Sequence, residues 1–156
     1  MQMVQDAIRT LLTELIDGPA GFGCWVINRD EPGMLGLLAT LSAEEAKQST
    51  SPGRTTLAAH VRHMSYALSL LNRWAGGEEN PFATADWEGS WQLDAIDDDA
   101  WQALIAQLET EAHAWRDAVQ QPREWDELSL TGAIASCAHI AYHFGAMKQI
   151  VLSVGH

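Results

Sequence analysis

A chain of 156 residues, 47% of them hydrophobic, has room for a sizeable core and reads as one domain over residues 1–156. Its formal net charge of −12, with nine Lys and Arg scattered among 21 Asp and Glu, excludes a nucleic-acid backbone or an anionic membrane surface as partner, because either needs a basic cluster. The opening Met1-Gln2-Met3-Val4-Gln5-Asp6 lacks the basic-then-apolar layout of a signal peptide, and no apolar run reaches the ~18 residues of a membrane span, so a cytoplasmic protein is expected. Cys24 and Cys137 are too few and too isolated for a disulfide framework, and Cys137 reads as a small core residue.

From Gln2 to Asp17 the residues Val4, Ile8, Leu11, Leu12, Leu15 and Ile16 recur at three and four, which predicts an amphipathic helix stopped by Gly18-Pro19. Gly18 to Pro32 is turn-rich, Met34 to Leu41 suits a short helix, and Ser42-Ala43-Glu44-Glu45 is a capping box that starts another. Thr55 or Thr56 caps a long helix running through Trp74 and ended by Gly76-Gly77. Glu78 to Ile96, with Pro81 and the run Asp86-Trp87-Glu88-Gly89-Ser90-Trp91, keeps neither helical nor strand period and reads as an ordered loop. Asp97-Asp98-Asp99 opens a third long helix, with Trp101, Leu104, Leu108, Ala112, Trp115 and Val119 as its apolar stripe and Pro122 beyond its end. The last helix is expected from about Gly132 to Ser153. No segment alternates with a period of two, so the fold class is all-α: a four-helix bundle with long connections between helices one and two and between two and three. The seven tryptophans are expected to fill the core or a dimer surface.

The chemistry lies in Cys137-Ala138-His139-Ile140-Ala141-Tyr142-His143-Phe144-Gly145-Ala146-Met147, where two histidines four apart share one helical face and can share one cation. Two ligands make half a site. The other histidines are His60, His63, His113 and His156, of which His113 reads as a surface or boundary residue and His156 as part of a frayed end. Leu57, Val61, Met64, Leu68 and Leu71 define the buried stripe of the second helix; His60 lies about 35° from its centre and His63 about 95°. On the last helix His139 and His143 flank a stripe of Ala133, Cys137, Phe144 and Val151 at about 100° to 140°. A metal at the edge of the core, reachable by substrate, takes margin histidines from both helices, which favours His63. His60 points into the core, where it lines the pocket or orients a ligand from behind.

These residues carry a family likeness. Thr56-Leu57 through His63-Met64, and His139, His143 and Gly145, resemble the second-helix and last-helix patterns of the DinB-like superfamily, which includes YfiT-like metal-dependent hydrolases and metal-dependent thiol transferases. The resemblance implies His63, His139 and His143 as metal ligands, zinc or nickel as the metal, and a homodimer. Two positions depart from it: Ala146, where many relatives have Gln, and His60, where many have an aliphatic residue.

Three histidines leave coordination positions open, as catalytic rather than structural sites do. A cytoplasmic enzyme is therefore expected that uses a divalent ion to activate water or a low-molecular-weight thiol against a small-molecule substrate, as hydrolase or thiol transferase. No general base is assigned; Asp86 and Glu88 qualify only if their loop folds over the metal. The alternative is a non-catalytic dimeric binding or stress-related module with a structural or vestigial metal site.

Overall fold

The computed structural model describes residues 2–21, 23–153 and 155; His156 lies outside them. Among the described residues the chain forms α1 (Gln2–Asp17), α2 (Met34–Leu38), α3 (Ala43–Ala46), α4 (Leu57–Ala75), α5 (Asp98–Ala118) and α6 (Glu127–Ser153), with a 3₁₀ turn at Gly89–Trp91 and no strand. The four long helices are the four expected, and residues 18–56 and 76–97 are the two long connections.

Four of the helix starts have a local cause. Thr56 Oγ1 accepts from Ala59 N at 3.2 Å to open α4, Asp97 Oδ1 accepts from Ala100 N at 2.9 Å to open α5, and Ser42 with Glu45 closes the capping box of α3. The last helix begins five residues earlier than the expected Gly132. Asp126 Oδ1 accepts from Ser129 N at 2.7 Å while Ser129 Oγ accepts from Asp126 N at 3.0 Å, a reciprocal cap in which Ser replaces the usual Glu. Gly132 is thus an interior residue, one whose missing side chain faces the Trp74 ring.

Ile8, Leu12, Leu15 and Ile16 from α1, Val61, Met64 and Leu68 from α4, Leu108 and Trp115 from α5, and Ile140, Phe144 and Met147 from α6 meet in one core. α4 packs along α5, and α6 closes the bundle against both α1 and α4. Trp101 and Trp115 are fully buried without stranding a donor: Trp101 Nε1 donates to Leu41 O at 2.8 Å, and Trp115 Nε1 to Ser136 Oγ at 2.8 Å.

The first connection is held from inside. Glu14, 3% exposed, accepts from the backbone N–H groups of Trp25, Val26 and Ile27 at 2.8 to 2.9 Å. Burial raises the pKa of this carboxyl, but the three amide donors outweigh burial and hold it below the ordinary value. Where α1 ends, Gly18 adopts φ +107 and its backbone passes so close to Gly33 that a side chain on Gly33 would strike the Gly18 nitrogen at 2.3 Å. That contact returns the chain to the bundle at α2, and α3 then leads it to α4. No helix of the described residues is long and apolar enough to cross a membrane.

Candidate metal centre

α4 contributes His60 and His63, α6 contributes His139 and His143, and the four rings meet where these helices face each other. Nitrogens of His63, His139 and His143 all lie within 4.8 Å of one another; among the described residues this is the group of three or more metal-ligating side chains so clustered. Three imidazole nitrogens this close form the kind of donor set that a divalent transition ion takes. His113 is elsewhere, paired with Asp17 at 2.7 Å on the α1–α5 surface.

The helical wheel placed His60 in the core and His63 at the margin. The structure buries both, His60 at 9% exposed and His63 at 6%, and buries His143 to 3%. The wheel counted only the stripe facing other helices. It could not include the second long connection, which folds over this flank.

That connection builds a wall around His63. Trp91 stacks on the His63 ring at 3.9 Å between centroids and 11° between planes, and meets His60 edge-on at 5.4 Å. Ser90, 3% exposed, places Oγ 2.8 Å from His63 Nδ1. The loop is pinned to α4 by Tyr66, whose hydroxyl accepts from Asp86 N at 2.8 Å, and tightened by Asp86 Oδ1, which accepts from Gly89 N at 2.8 Å. Asp86 and Glu88 are both exposed, and Asp86 is engaged in its own turn rather than with the histidines. The loop does fold over the site, but with Ser90 and Trp91 as its contacts. Two tryptophans expected in core or dimer surface, Trp87 and Trp91, thus face the histidines instead.

Tautomers follow from the partners. Ser90 Oγ donates its proton to Trp87 O at 2.6 Å, since a carbonyl can only accept; it must therefore accept from His63 Nδ1–H. His63 is left with its lone pair on Nε2. His143 sits between two other imidazoles, its Nδ1 3.0 Å from His60 Nδ1 and its Nε2 2.9 Å from His139 Nε2. If His139 and His143 held a cation at Nε2, the His143 proton would sit on Nδ1 and donate to His60. Ser90 and His60 are then equivalent parts: each accepts the outer N–H of a candidate ligand and orients its ring.

Electrostatics favour neutral rings. Burial, followed by the nearby His139 and His60, lowers His63 to about 4; burial, followed by His139, His60 and His63, lowers His143 to about 3. Burial also lowers His60 and His139. Imidazoles held neutral near pH 7 offer lone pairs, as metal ligands must. Cys137 is no rival nucleophile: burial pushes its thiol up to about 11, and its Sγ contacts are backbone carbonyls of Ile8 and Ala133.

A cavity of about 590 Å³ opens beside the cluster and reaches it at His60 and His143, with Trp91 and Tyr142 also in its wall. A larger hollow of about 960 Å³, between the ends of α4 and α5 and the start of α6, is lined by no histidine or cysteine. Comparison with known proteins adds one finding. The family model of the DinB superfamily matches residues 28–147, from within the first connection to a point in α6 just past both of its histidines. The chain belongs to the DinB superfamily. No curated protein and no solved structure matches it. In this DinB-superfamily chain the matched segment holds all four clustered histidines together with Ser90 and Trp91. Spacing brought out the histidines. Ser90 and Trp91 left no periodic signal, and only the aromatic-acidic run from Asp86 to Trp91 marked their loop as ordered.

Proposed function

We propose that His63, His139 and His143 hold one divalent transition ion, zinc or nickel, through their Nε2 atoms, and that the protein is a metal-dependent enzyme acting on a small-molecule substrate, either a hydrolase or a thiol transferase. The observation that carries this reading is the tautomer of His63: a buried ring with its proton committed to Ser90 keeps its lone pair on the side of the cluster. When bound, such an ion supplies Lewis acidity, by which water or a low-molecular-weight thiol becomes nucleophilic near neutral pH. Ser90 and His60 hold the ligand rings in register, Trp91 excludes water from one face of His63, and the cavity beside His60 and His143 admits the substrate.

Cobalt substitution tests the open position. Titrating 2-mercaptoethanol into the cobalt-loaded protein is expected to produce a sulfur-to-cobalt charge-transfer band and to shift the visible d–d bands. Spectra that stay unchanged at saturating thiol would remove the thiol-transferase branch, and the absence of any hydrolytic turnover with ester, amide and phosphoester panels would remove the other.

The reading includes a homodimer, and α6 supports it. Between Ser129 and Ser153 the one Lys, Arg, Asp or Glu is Lys148, and the outer face carries Ile134, Tyr142 and Leu152 at 53%, 72% and 62% exposed, with Leu128 just before them at 76%. A helix face this long without charge is the kind that a second copy covers.

A further inference from the structure

The cavity beside His60 and His143 has a wall whose charge runs against the rest of the molecule. The chain carries 21 Asp and Glu against nine Lys and Arg, yet no lining residue of this cavity is acidic and one of them is Arg54. Arg54 belongs to the turn just before α4, where its N–H donates to Ser51 O at 3.1 Å and Gly53 takes φ +76. Lys47, Arg73, Arg116 and Lys148 are tied to carboxylates; the Arg54 guanidinium, like those of Arg9, Arg29, Arg62 and Arg123, makes no ion pair among the described residues, and of these five it alone lines this cavity. Thr50, Thr55, Tyr142 and Gln149 supply the remaining polar groups of the wall.

A guanidinium free of ion pairs in the wall of a carboxylate-free cavity that also holds His60 and His143 suits a ligand that has one acid group and one reacting group. Resting on the metal-centre reading, we propose that the substrate is a small carboxylic acid whose carboxylate docks on Arg54 while its reacting end meets the metal centre on the His143 side. The planar fork of Arg matches a carboxylate with two parallel hydrogen bonds. A phosphate dianion ordinarily draws further donors, such as a second cation or a helix N-terminus; the wall has no second Lys or Arg, and the α4 N-terminus is already capped by Thr56. Long-range attraction works the same way: in a molecule of net charge −12, anionic ligands are repelled from most of the surface and this wall is an exception.

The test uses the full chain, zinc-loaded and metal-free, as wild type, Arg54→Gln and Arg54→Lys. By calorimetry, zinc-loaded wild type is expected to bind 3-mercaptopropionate at least about tenfold more tightly than the neutral 3-mercaptopropanol, the order expected of one charge-assisted contact. Arg54→Gln is expected to erase that preference without changing the affinity for mercaptopropanol, and Arg54→Lys to restore part of it. In metal-free protein, propionate is expected to shift the backbone amide resonances of Thr50, Thr55 and Gln149 in wild type but not in Arg54→Gln. If zinc fails to bind while these shifts persist, the metal-centre reading falls and the acid site stands. Absence of the shifts in metal-free wild type, or an undiminished preference for the acid in Arg54→Gln, would overturn the proposal. So would inorganic phosphate displacing propionate with more than about tenfold higher affinity, which would move the ligand class to phosphates.

Discussion

Four buried or half-buried imidazoles share one corner of the bundle, and their outer nitrogens separate their roles. His63 leans on Ser90 and His143 on His60, so His60 touches a candidate ligand rather than being one. His63→Ala is therefore expected to abolish metal binding, whereas His60→Leu should keep the ion with affinity lowered by about 10- to 100-fold. Leu suits the apolar α4 stripe, but the contact at 3.0 Å decides the sign: Leu at this position leaves His143 Nδ1 buried and unpaired, at a cost of about 1–3 kcal/mol. Competition with a chromophoric chelator and melting temperature, measured on both variants, check the pair; a His60→Leu protein that loses the ion beside a His63→Ala protein that retains it would exchange their roles. The spacing of His139 and His143 was legible because one helix sets it. The Ser90 contact was not, because it joins residues 27 apart through a loop whose path no local period describes.

The elements tell the same story of local causes read easily and long-range ones missed. Stripe, cap and breaker located α1, α4 and α5, while α6 was started late because Asp126-Glu127-Leu128-Ser129 caps with Ser where Glu is the familiar partner. Glu14 is the clearest case of an element held by a residue whose role its sequence hides, for a carboxylate off the α1 stripe looks solvent-facing until the three amides of 25–27 are seen to bury it. Glu14→Gln offers one carbonyl where two carboxylate oxygens served, and a loss of about 1–3 kcal/mol in denaturant unfolding is expected. Faster amide exchange at Trp25 to Ile27 should accompany it; unchanged stability and exchange would mean that this connection is held by other contacts. The outer face of α6 is tested by Ile134→Glu. Wild type is expected to sediment at twice the 17.1 kDa chain mass and the variant at the chain mass, while a wild type that stays at 17.1 kDa at micromolar concentration would leave the face without a second copy.

For the whole molecule, the site carries a stability cost that a bound ion would offset. In the metal-free chain the folded pKa values of His63 and His143, about 4 and about 3, lie below the unfolded value of about 6.5, so the unfolded chain binds more protons in acid. Stability is full above about pH 6.5 and falls as pH drops through the window between 6.5 and those values; Glu14, also depressed, adds to the loss below about its ordinary 4.5. Melting temperature of the metal-free protein should therefore decline steadily from about pH 6.5 toward 4. Replacing His143 by Phe should flatten that slope, and an unchanged slope would place the acid sensitivity elsewhere.

All of this turns on whether an ion belongs at the three histidines. The direct measurement is elemental analysis of protein purified without an affinity tag, alongside His63→Ala, His139→Ala and His143→Ala purified identically. About one divalent transition ion per chain is expected in the wild type, retained at neutral pH, released on acidification toward the lowered pKa of about 4 at His63, and lost in each variant. A wild type that takes up no ion when offered zinc and nickel, or variants that keep the same stoichiometry as the wild type, would contradict the metal centre.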